Sequence, residues 1–173
     1  MTGKIAASGN LNTLLKADGS VVDLSGRNYC YSSMFNGCTS LTQAPALPAT
    51  TLATGCYFSM FNGCTSLTQA PALPVTTLAT RCYSSMFRDC TSLTQAPALP
   101  VTTLASSCYS NMFNGCANLN NINVNFSAWG PTNATTNWTS NVSSSGTFTC
   151  PADLPETYGT SYIPANWEIV RKQ

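Results

Sequence analysis

A 26-residue period governs this sequence and leaves few architectures open to it. Cys30, Cys56, Cys82 and Cys108 stand 26 residues apart, and so do Cys38, Cys64, Cys90 and Cys116. The text between them copies itself. CYSSMFNGCTSLTQAPALPATTLATG from Cys30 and CYFSMFNGCTSLTQAPALPVTTLATR from Cys56 differ at 3 of 26 positions. A third copy starts at Cys82, and a fourth opens CYSNMFNGCANL at Cys108 before drifting. Cys, Met, Phe and Leu hold register in every copy, whereas a disordered low-complexity tract avoids such residues. So regular a period predicts a solenoid, in which each unit buries its apolar side only against its neighbours.

Within a unit the apolar pattern changes. Leu52, Cys56 and Met60 fall at i, i+4 and i+8, the spacing of one helical stripe, with Thr51 placed to cap it and Asn62-Gly63 to stop it. Gly55 weakens that helix, so a short or partly 3₁₀ segment is expected. The run from Leu67 to Leu73 reads as extended, with Pro71 confined to a place where its missing N–H costs little. The expected fold class is therefore an α/β repeat solenoid, one short helix or turn plus one short parallel strand per unit.

The worn ends sharpen this. Ile122, Val124 and Phe126 alternate with asparagines, the pattern of a half-buried strand. Carried back by whole periods, Leu119 falls on Leu41, Leu67 and Leu93, the expected inward positions. Carried forward, Met112 falls on Trp138, Cys116 on Val142 and Ile122 on Phe148. At the other end, Leu41 falls on Leu15 and Leu47 on Val21. One domain over 1–173 is expected, with 1–29 a degenerate N-terminal cap, 30–133 the repeats, and 134–173 a degenerate C-terminal repeat and cap. Trp167 and Ile169 are expected to cover the last coil.

Composition narrows function. Seven Lys+Arg against six Asp+Glu leave a net charge of +1, no footprint for nucleic acid or an anionic membrane. The chain has no histidine, which removes Ser-His-Asp and Cys-His arrangements, HExxH sites and the commonest general base. The aspartates are scattered, so paired carboxylate chemistry has no evident place. Neither catalysis nor a cofactor is expected. No run approaches the ~18 apolar residues of a membrane span. The stretch from Met1 to Asn10 offers no signal-peptide core, although a longer parent chain could carry one.

Nine cysteines admit three readings. Zinc ligation fits badly, because no C-x₂-C pair occurs. Disulfides within a unit would have to join residues eight apart, about 12 Å if helical. Disulfides between neighbouring units are feasible but would break the symmetry of the repeat. Packing as buried free thiols is the favoured reading, since cysteine behaves as a small hydrophobe and Val142 occupies the slot of Cys116.

The run MFNGCTSLTQAP, followed by ALPATTLA and another CY..MF..C, resembles the Treponema-pallidum-type leucine-rich repeats of bacterial surface proteins, in versions abundant in gut Bacteroidales and their phages. Met34, Phe35, Cys38 and Leu41 match that family's junction, as do Met60, Phe61, Cys64 and Leu67. So do the equivalent residues of the next two units, Met86 to Leu93 and Met112 to Leu119. The resemblance implies a solenoid with a parallel sheet on one face. It also implies adhesion or partner recognition on a cell surface or virion, without cofactor or catalysis. Pro45, Pro71 and Pro97 depart from the family's pattern and put continuous strand pairing in doubt.

If the sheet is a binding face, its outward rows are Thr42, Thr68, Thr94 and Asn120, and Gln43, Gln69, Gln95 and Asn121. These side chains are uncharged and hydrogen-bonding, suited to a protein or glycan partner. A secondary candidate is the row Tyr31, Tyr57, Tyr83 and Tyr109, whose rings could stack on sugars. The adjacent threonines Thr50-Thr51 and Thr76-Thr77 do not alternate, which argues against ice binding. The expectation is a surface-exposed recognition or adhesion module. The alternative is a structural protein of a phage virion or tail fibre, self-associating or packing on a neighbouring subunit.

Overall fold

The structure is a computed structural model describing residues 3–20, 22–131 and 133–173. Val21, matched above with Leu47, lies outside the described residues. No α-helix occurs among them; the one helical segment is a 3₁₀ turn over Leu11–Leu14, opened by Asn10. Five short strands form two parallel sheets. One pairs β1 (Ile5–Ala6) with β2 (Leu41–Gln43), and the other orders β3 (Asn121–Asn123), β4 (Thr147–Pro151) and β5 (Glu168–Lys172) with β4 in the middle. The molecule is a small β-sheet domain. The helix-and-strand leucine-rich-repeat solenoid read from the sequence does not form.

Backbone geometry explains the missing helix. In each repeat one residue in four adopts a left-handed conformation: Ser33 (φ 57°) and Gly37 (74°), Ser59 (52°) and Gly63 (72°), Ser85 (56°) and Asp89 (57°), Asn111 (54°) and Gly115 (80°). Such residues cannot sit inside a right-handed helix. The chain runs instead as consecutive tight turns. Ser32 N–H donates to Tyr29 O at 3.0 Å and Asn36 N–H to Ser33 O at 3.1 Å, closing turns locally. The residues between them look outward. Tyr31, Ser33 and Phe35 donate to Cys56 O, Phe58 O and Met60 O at 2.9, 2.8 and 2.9 Å. Half of the amides thus serve the neighbouring repeat, where an α-helix would have kept them all. The four-residue pitch of these turns still buries Cys56, Met60 and Cys64 together, which is why their spacing imitates a helical stripe.

Proline explains why the sheet is split. Between 41–48 and 67–74 the only pairing is one bridge, Gln43 to Gln69. Between 67–74 and 93–100 no backbone hydrogen bond forms. These stretches carry Pro45, Pro71 and Pro97, each without an amide hydrogen and each restraining its predecessor. Where the chain reads Asn-Ile-Asn-Val instead, pairing resumes, and Asn121, Ile122 and Asn123 register with Thr147, Phe148 and Thr149.

The core is a pair of aromatic files between the turns and the extended stretches. Tyr31, Tyr57, Tyr83 and Tyr109 stack at centroid separations of 5.7, 5.8 and 6.2 Å. Phe35, Phe61, Phe87 and Phe113 do so at 5.5, 5.7 and 6.0 Å. Both files end on Trp138, 6.2 Å from Tyr109 and from Phe113. Its indole N–H donates to Tyr162 O at 2.9 Å, which satisfies the one polar atom of a fully buried ring. Leu41, Leu67, Leu93 and Leu119 complete the interior, joined by Leu47, Leu73 and Leu99. Trp167 is buried with its indole N–H donating to Ser143 O at 2.8 Å; Ile169 on β5 is half-buried.

Candidate binding face

The extended stretches place the threonine and glutamine rows on one outer surface. Gln43, Thr68, Gln69, Thr94, Gln95 and Asn120 are exposed, while Thr42 and Asn121 are half-buried. Thr68 and Gln69 are consecutive yet both exposed, which a regular strand would forbid and this proline-interrupted stretch permits. Bridges bring Gln43 against Gln69 and Gln95 against Asn121; no bridge joins Gln69 to Gln95. Thr42 Oγ1 donates to Ile5 O at 2.9 Å and so serves the fold. Among the described residues the side-chain amides of Gln43, Gln69 and Gln95 bond to nothing in the protein.

Two grooves lie along this surface, one where pairing fails and one beside the Gln43–Gln69 bridge. One of about 490 Å³ opens between Thr68-Gln69-Ala70 and Thr94-Gln95-Ala96. Another of about 450 Å³ opens between Thr42-Gln43 and Thr68-Gln69. Stretches 42–48, 68–74 and 94–100 contain no charged residue, so the face is neutral. Ala44, Ala70 and Ala96, equivalent to Ile122 and expected to point inward, line the grooves instead, with Ala44 and Ala70 half-buried and Ala96 buried. Their signal was the proline beside them, which marked where strands would part.

The tyrosine row is a correction. Tyr31, Tyr57, Tyr83 and Tyr109 are 1–2% exposed and belong to the core, closed to any partner. Burial pushes the Tyr31 phenol up to about 12. Its hydroxyl lies 3.2 Å from Asn12 Oδ1 and 3.5 Å from Leu11 O, both buried. The spacing placed these rings in a file without saying which side of the chain the file occupied.

All nine cysteines are free thiols, seven of them buried and Cys30 and Cys38 half-buried. Their role is more than filling space. Cys64, Cys90 and Cys116 point their thiols at Phe35 O, Phe61 O and Phe87 O in the preceding repeat, at 3.1, 3.1 and 3.0 Å. These weak S–H donors tie repeats together where a valine could only pack. Burial pushes the Cys56, Cys64 and Cys116 thiols up to about 12 and Cys108 to about 11, so they stay protonated at neutral pH and lack the thiolate that nucleophilic chemistry requires.

No family model, curated protein or solved structure matches this chain. The resemblance to Treponema-pallidum-type leucine-rich repeats is therefore overturned. The turns and split sheets above do not have that architecture.

Proposed function

We propose that this protein is a non-catalytic recognition module that binds a protein or glycan partner through the Thr42–Gln43, Thr68–Gln69, Thr94–Gln95 and Asn120–Asn121 surface. The observation behind this reading is the file of exposed glutamine amides that bond to nothing in the protein. Each amide offers donors and an acceptor, and the grooves beside them provide concavity. A screen of glycans and cell surfaces with the wild type and a Gln43→Glu/Gln69→Glu/Gln95→Glu variant tests it. Binding lost in the variant supports the face, and binding unchanged removes it.

A second reading, assembly with a neighbouring subunit, draws on a different feature. Carbonyls of Cys30, Ser32, Met34 and Asn36 accept no hydrogen bond among the described residues, whereas their equivalents one repeat later all do. Beside them Tyr29 and Met34 are 47% and 41% exposed. Sedimentation across a concentration series discriminates: a strict monomer at every concentration rules self-assembly out.

A further inference from the structure

We infer that the grooves between the proline-bearing stretches bind a linear, uncharged glycan laid across the repeats, one sugar to each repeat. This rests on the recognition reading above and narrows it to one ligand class.

The first argument is the split in the sheet. In the last proline-bearing repeat Ala96 N–H meets Asn121 O at 2.9 Å. One repeat earlier the equivalent groups, Ala70 N–H and Gln95 O, make no bond, and both line the groove of about 490 Å³. A parted donor and acceptor are bridged by a group that accepts and donates at once. A hydroxyl does this; an ammonium, a carboxylate or an aliphatic chain does not.

Chemistry of the rims supplies the second argument. Thr68, Thr94, Gln69 and Gln95 give neutral donors and acceptors, and the exposed Ala72 and Ala98 give small apolar contacts between them. A pyranose has the same division, hydroxyls at its edge and C–H groups on its face. Protein interfaces depend instead on Trp, Tyr and Arg anchors, and this face has none in 42–48, 68–74 or 94–100. A peptide partner is disfavoured for that reason.

Spacing supplies the third. Equivalent rings of successive repeats are displaced by 5.5–6.2 Å, close to the length of one sugar in an extended chain. A linear glycan running along the stack therefore meets Gln43, Gln69, Gln95 and Asn121 in turn.

Calorimetric titration with linear glucan, mannan, xylan and galactan oligosaccharides of increasing length tests this, with oligogalacturonate as the charged comparator. The expected result is binding of at least one neutral series, with affinity rising with length to about four sugars as successive rows are filled. Binding should weaken roughly tenfold or more in Gln69→Glu/Gln95→Glu, whose unaltered circular dichroism reports an intact fold. No binding to any neutral series overturns the inference, as does binding that ignores length or survives the double substitution. Capture of a protein that is lost in the same variant would also overturn it while leaving the recognition face standing. Absence of any ligand in both this titration and the cell-surface screen would remove the face itself.

Discussion

Tyr57 and Tyr83 lie one repeat apart with ring centroids 5.8 Å apart and planes 3° from parallel. Tyr57 carries the only buried side-chain polar atom among the described residues that lacks a partner, its hydroxyl. An unsatisfied buried hydroxyl costs about 1–3 kcal/mol, whereas a made hydrogen bond contributes about 1 kcal/mol net. Tyr57→Phe is therefore expected to leave stability unchanged or raise it. Tyr31→Phe, which gives up the contact with Asn12, should lower it by about 1 kcal/mol. Urea denaturation of both variants checks this, and equal losses would contradict it.

Thiol chemistry gives a second expectation. Denatured protein prepared without oxidant should titrate as nine free thiols. Native protein should react rapidly at no more than the two half-buried positions, Cys30 and Cys38. Cys90→Ala, which removes a buried sulfur and its contact with Phe61 O, should cost about 1–2 kcal/mol. A native protein that gives up all its thiols at once would refute the buried arrangement.

Asp89 and Gly115 make a matched pair of tests. Asp89 holds a left-handed φ of 57° at a position where three other repeats place Gly37, Gly63 and Gly115. Its ion pair with Arg88 is exposed and worth little. Asp89→Gly should stabilise by about 1 kcal/mol, since glycine adopts that conformation without a Cβ penalty. Gly115→Ala should be worse than Gly63→Ala. A Cβ at 115 collides with the Asp89 carboxylate, while one at 63 finds Gly37 Cα at 3.6 Å. Thermal denaturation of the three variants decides, and equal effects of the two alanines would sink the argument.

Alkaline pH should unfold the protein progressively. Burial raises the Cys56, Cys64 and Cys116 thiols from 9.0 to about 12 in the fold, and Cys108 to about 11. Above pH 9 the unfolded chain gives up these protons while the folded chain retains them, so the unfolded state binds fewer protons and stability falls with rising pH. The contribution is complete below about pH 9 and is lost between about 9 and 12. Denaturation midpoints in reducing buffer follow it. A midpoint flat across that range would contradict the burial of the thiols.

Some of this was legible in the residues and some was not. The inward Leu41, Leu67, Leu93 and Leu119 could be read from alternation at Ile122, Val124 and Phe126, where side chains do alternate about a strand. The split sheet was foreshadowed by Pro45, Pro71 and Pro97. The turns were hidden, because a four-residue pitch and a helical pitch place apolar residues almost identically. Nor do the left-handed positions share a residue type: Tyr29, Gly55, Arg81 and Ser107 are equivalent, with φ between 53° and 58°. The conformation comes from the amides that reach the next repeat rather than from local preference. Gln43, Gln69 and Gln95 are exposed and Asn121 is half-buried, whereas the tyrosine row faces the core.

The matched files of identical rings bear on how the chain finds its alignment. Slipping one repeat by a full period would exchange tyrosine for tyrosine, phenylalanine for phenylalanine and cysteine for cysteine. The interior therefore cannot distinguish the right neighbour from the next one along. That information resides at the extremities, where the Tyr31 hydroxyl meets Asn12 and Trp138 seats against both Tyr109 and Phe113. Mis-threaded forms with one repeat looped out compete with the native chain until those end contacts close, so the worn terminal sequences act as the alignment marks of the molecule.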